Sequence, residues 1–142
     1  RIAVLQSLAS RNLERLMVRV SEELSRAEHA SAQDALLAVV DIMVELFRTE
    51  PGFRSLRAGD VLDLLPPTTE EPASVVVTTA VGDALVERFG VADTLEVRLA
   101  VGSAVEVADA LVARAFARSS TGDEALLAEA RRSVVAVVAG RL

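Results

Sequence analysis

Few side chains in the 142 residues are equipped for bond-making chemistry. His29 is the single histidine, and it stands in Glu28-His29-Ala30-Ser31, a polar stretch that reads as a solvent-exposed loop. A metal centre needs two or more nitrogen or sulfur ligands or clustered carboxylates, and a di-iron bundle needs Glu-x-x-His pairs; the sequence holds neither pattern. No Ser-His-Asp set can be assembled and no Gly-rich phosphate loop occurs. With no Cys there is no thiolate chemistry. The expectation is a chain without catalytic residues, metal or cofactor. What remains is binding. Met43, Phe47, Phe53 and Leu56 offer an apolar lining, and Thr78 and Thr79 supply hydroxyls among valines, the make-up of a site for a small hydrophobic molecule. The same Met and Phe would serve as plain core, and each Thr hydroxyl would be satisfied by the carbonyl four residues back. Arg54 and Arg57 suit either an anionic ligand or an exposed short helix.

The element that must position these residues is the stretch Leu36–Gly59. From Leu36 to Arg48 it is apolar almost all the way round a helical wheel, and Asp34, Asp41, Glu45 and Arg48 form one narrow polar stripe. A helix with so thin a wet edge belongs inside a bundle. Pro51 and Gly52 break it, and a short amphipathic turn follows. Before it, Ile2, Leu5, Leu8, Leu13, Leu16, Val20 and Leu24 recur at helical spacing, predicting an amphipathic helix of about 26 residues, roughly 39 Å long. Ser31 with Asp34 resembles a capping box for the buried helix. Asp60–Pro67 is a short helical or irregular link, and Thr68-Thr69-Glu70-Glu71-Pro72 opens a helix that Gly90 stops. Asp93 with Glu96 predicts the start of the longest helix, running to about Arg118, and Thr121 with Glu124 the start of the last. The fold class is all-α, a bundle of about six helices in a single domain spanning 1–142.

Half the residues are hydrophobic (51%) and mean hydropathy is +0.38, yet no run reaches the roughly 18 apolar residues of a membrane span. The spare apolar surface must go into a pocket or a second subunit. The last two predicted helices carry most of it, with Leu95, Leu99, Gly102, Val105, Leu111, Leu126, Val134 and Val138 as the candidate dimer interface. Pairing both helices with their two-fold copies would make a four-helix homodimer interface of roughly 2,000 Å² or more. Net charge is −6 and every basic residue counted is arginine, a poor balance for gripping a phosphate backbone. The absence of cysteine fits a reducing, cytoplasmic setting. The chain opens on Arg1 already in helical register, which points to a segment upstream.

The helix order, together with Arg11-Asn12-Leu13-Glu14-Arg15-Leu16 and the phrase Phe47-Arg48-Thr49-Glu50-Pro51-Gly52-Phe53-Arg54-Ser55-Leu56-Arg57, resembles the C-terminal regulatory domain of TetR-family transcriptional regulators. The resemblance covers nearly the whole chain. It implies a domain that dimerises and senses a small effector, with DNA held only through an N-terminal helix-turn-helix that this sequence lacks, and it puts a pocket wall at the Pro-Gly bend. The competing reading is a stand-alone helical module whose apolar faces bind another protein. A small hydrolase or cofactor-binding bundle is disfavoured by the missing acid-base set.

Overall fold

A computed structural model describes residues 2–26, 28–53 and 73–142. The fold is an all-α bundle. Among the described residues there are five helices and no strand: α1 (Ile2–Leu24), α2 (Ala32–Thr49), α3 (Ala73–Phe89), α4 (Leu95–Arg118) and α5 (Glu124–Val138). Residues 51–53 are again helical, just past the end of α2. The expected link at 60–67, and Leu56, Arg54 and Arg57 with it, lie outside the described residues.

Helix α2 is the axis of the bundle. It packs on each of the other four helices, and its buried side chains run from Ala32 to Phe47 while Asp34, Asp41, Glu45 and Arg48 stay exposed, as the narrow polar stripe requires. The Asp41 carboxylate takes an ion pair from Arg131 of α5. Along α4 the inward face is built from small and β-branched residues, among them Ala100, Val101, Ala104, Ala108, Val112 and Ala115, all essentially inaccessible. Such short side chains let α5 and α2 approach closely, and α5 returns Ala130, Val134 and Val138 into the same core.

The helix ends follow capping chemistry, with two shifts from the sequence expectation. Ser31 caps α2 as expected, its Oγ accepting from the Asp34 N–H at 3.1 Å. Helix α4, however, is capped by Thr94, whose Oγ1 accepts from the Val97 N–H at 3.2 Å. The neighbouring Asp93 carboxylate is instead taken by Arg98, through a charge-assisted bond of 2.9 Å that a backbone amide cannot match. Helix α5 is capped by Asp123 rather than Thr121, with Oδ1 accepting from the Leu126 N–H at 3.1 Å. The reason is Gly122, which at φ 91° turns the chain after Thr121 and delays the helix by two residues. Gly90, at φ 65°, ends α3 where the sequence placed the stop.

Candidate functional site

The candidate apolar residues do meet, and a residue the sequence reading left out joins them. Met43 and Phe47 lie one turn apart on the buried face of α2, and Phe53 is buried just beyond the bend. The Phe47 and Phe53 rings are tilted at 60° with centroids 5.7 Å apart, and Phe47 stacks on Phe116 of α4 at 5.5 Å and 23°. Both separations are in the range where ring pairs attract beyond simple burial. Three of the chain's four phenylalanines thus share one junction, between the end of α2, the bend and the end of α4. Phe116 is the only aromatic residue of α4 and sits one turn beyond Val112 on its inward face. Its spacing on α4 places it in line with Val112, and nothing local makes it a neighbour of Phe47.

The junction is closed on its outer side by Arg48. Its Nε and Nη2 donate to the Thr121 carbonyl at 3.3 and 3.1 Å, and its guanidinium carbon lies 5.9 Å from the Phe116 ring centroid, a cation–π distance. The turn itself folds down on Phe116: a Cβ built on Gly122 would stand 2.9 Å from the Phe116 Cζ.

On its other side the bend is held by α1 through a ladder of polar contacts. Asn12, the one buried polar side chain among the described residues, donates from Nδ2 to the Gly52 carbonyl at 3.1 Å. Gly52 lies tight against α1: a Cβ there would stand 2.9 Å from Leu8 Cδ1 and 3.3 Å from Asn12 Oδ1, so a side chain would have to displace those groups. Arg15 pairs with Glu50, and Arg19 donates to Glu45 at 2.9 Å. The Arg19 hydrogen bond holds the Glu45 carboxyl below its ordinary range. At the other end of α1 the chain is anchored by Arg88 of α3, which donates to the Ser25 carbonyl at 3.0 Å. There His29 departs from the expected solvent-exposed loop residue. Its side chain is 12% exposed, and Nε2 lies 3.0 Å from the Glu23 carboxylate and 3.2 Å from the Glu23 carbonyl. The turn that follows α1 folds His29 back onto that helix's last residues, which a linear reading beside Glu28 could not show.

The two threonines do not join the rings as a pair. Thr78 is half-buried on the seam between α3 and α4, its Cγ2 3.3 Å from where a Gly102 Cβ would stand, and Thr79 faces solvent. The candidate interface residues divide in the same way. Leu95 and Leu99 stand 76% and 59% exposed, and Gly102, Leu111 and Leu126 are half-buried. Val105, Val134 and Val138 are buried in the chain's own core. Near the leucines, Arg98 bridges Asp83 of α3 at 2.8 Å and Asp93 at 2.9 Å; its guanidinium holds the Asp93 carboxyl below the usual carboxylate range. Among the described residues no three His, Cys, Asp or Glu side chains gather as metal ligands would, and no helix is long and apolar enough to cross a membrane.

Comparison with known proteins gives this arrangement a context. A family model described as "Tetracyclin repressor-like, C-terminal domain" matches residues 30–139. The crystal structure of a TetR-family transcriptional regulator from Streptomyces coelicolor superposes with a TM-score of 0.73 at 32% sequence identity, over 97% of this chain and 72% of that one. No curated protein matches the sequence.

Proposed function

The chain belongs to the TetR family of transcriptional regulators, and on that premise we propose that it is the effector-sensing and dimerisation domain of a bacterial regulator. In this reading a small apolar molecule binds against Met43, Phe47, Phe53 and Leu56. Homodimerisation uses α4 and α5. DNA is reached only through a helix-turn-helix outside these 142 residues, and the protein works in the cytoplasm.

The observation that carries the sensing half is the gathering of Phe47, Phe53 and Phe116 at the bend. Their rings are buried, so a ligand that reaches them must part them, and parting them moves Gly52, to which Asn12 of α1 is bonded. The dimer half is supported by Leu95 and Leu99, two leucines on one line of α4 left largely exposed by the chain's own core. A second copy would cover them together with Gly102, Leu111 and Leu126, while Val105, Val134 and Val138 back the surface from beneath.

A thermal-shift screen with diverse lipophilic compounds tests the sensing half, because a ligand that binds only the folded state stabilises it by about 2.7 kcal/mol at a hundred times its Kd. A hit whose shift vanishes in Phe47→Leu supports the site; hits indifferent to that change place binding elsewhere. Sedimentation velocity at micromolar concentration tests the dimer: the expected result is a dimer that Leu99→Asp converts to a helical monomer. A wild-type monomer would overturn the subunit reading.

A further inference from the structure

The bend is gripped from two sides. On one side Asn12 and Leu8 of α1 hold Gly52. On the other, Phe53 leans on Phe47, Phe47 stacks on Phe116, and Phe116 lies under the α4–α5 turn at Gly122, with Arg48 clasping the Thr121 carbonyl across the top. Each link is a van der Waals contact, a ring pair or a hydrogen bond, and none is separated from the next by more than one side chain. Close-packed groups of this kind transmit a displacement because they cannot be compressed. We propose that the α4–α5 turn is mechanically coupled to α1 through the bend, with the Phe47–Phe116 stack as the joint and Arg48 as the brace that keeps the turn seated on it. The coupling is a property of the folded chain itself and holds whether or not an effector binds at the rings.

Reciprocity follows: whatever shifts α1 loosens the turn between the two helices proposed to dimerise, and whatever fixes that turn steadies α1. The reporters are already in place. The Gly122 amide donates to the Ser119 carbonyl at 3.1 Å and the Asp123 amide to the Ala115 carbonyl at 3.0 Å, so both report on the turn, while the Arg98 amide, bonded to Thr94 O at 3.0 Å, reports on the far end of α4.

The test is native-state hydrogen exchange on the full chain, comparing wild type, Asn12→Ala, Phe116→Leu and the double variant. With the Gly52 carbonyl released, exchange at Gly122 and Asp123 is expected to quicken by about fivefold, the factor that corresponds to one hydrogen bond lost, with Arg98 unchanged. In the Phe116→Leu background, where the ring stack is gone, Asn12→Ala is expected to have no further effect at the turn. Turn amides indifferent to Asn12→Ala would overturn the proposal. So would equal acceleration at all three amides, which is global unfolding, or an Asn12→Ala effect that survives loss of the Phe116 ring. Should Asn12→Ala prove too unstable, Arg48→Gln supplies the reciprocal arm: exchange is then read at Phe53, whose amide donates to Glu50 O at 3.1 Å, and no change there overturns the coupling equally.

Discussion

Helices α1 and α4 are nearly equal in length, at 23 and 24 residues, yet they are fastened in opposite ways. Helix α4 buries nine residues, from Val97 to Phe116, most of them Ala or Val, against α5, α3 and α2. Among the described side chains of α1 only Asn12, Leu16, Val20 and Leu24 are buried, and its middle is held to the end of α2 and the bend by Asn12–Gly52, Arg15–Glu50 and Arg19–Glu45. Apolar close packing is lost all at once, whereas exposed ion pairs are each worth ~0.2–1 kcal/mol and exchange readily with water. The difference is one of fastening: α4 is held mainly by close apolar packing, whereas polar contacts carry much of the hold between the described part of α1 and the end of α2.

The contrast can be broken at four points, in decreasing order of expected effect. Phe116→Ala removes a ring with 6% exposure from α4 and is expected to lower unfolding free energy by ~3–5 kcal/mol in a denaturant titration. Gly122→Ala forces a side chain into a left-handed backbone and onto the Phe116 ring, with an expected loss of ~1–3 kcal/mol by the same measurement. Asn12→Ala costs about 1 kcal/mol, the net worth of one hydrogen bond, and its effect on hydrogen exchange should be greatest at the bend. A loss as large as that for Phe116→Ala would erase the distinction between the two helices.

The smallest effect is acid. The Glu45 carboxyl is held below its ordinary value by Arg19, so its contribution is present above the unfolded-state value near 4.5 and is lost as pH falls through the lowered folded value. Below about pH 4.5, α1 should loosen by no more than the ~0.2–1 kcal/mol of an exposed pair. Exchange rates on α1 read this directly, and Arg19→Ala should abolish the dependence.

Local periodicity carried the fold. The polar stripe of α2 predicted its burial, Ser31 its start, and Gly90 the end of α3, because each depends on residues within one or two turns. The caps of α4 and α5 were misplaced by one and two residues. Their outcome depended on which donor claims Asp93 and how Gly122 turns, and neither is a matter of local pattern. At the candidate site Phe47 and Phe53 were legible as a pair because the bend brings near neighbours together. Phe116 was not, since 69 positions separate it from Phe47 and only the packing of α4 on α2 joins them. The ladder on α1 was invisible for the same reason: an arginine stripe on an amphipathic helix looks like solvated surface until a partner helix supplies the acids.

Asn12 also decides how α1 can travel. One turn before and one turn after it on the same face stand Leu8 and Leu16, and neither can donate to the Gly52 carbonyl. Sliding α1 along α2 by a helical turn, roughly 5.4 Å, would therefore leave that carbonyl facing hydrocarbon. The helix is keyed like a shaft with a single notch. That notch sets the register of α1 along α2, and at the far end Arg88 holds the Ser25 carbonyl while His29 rests on Glu23.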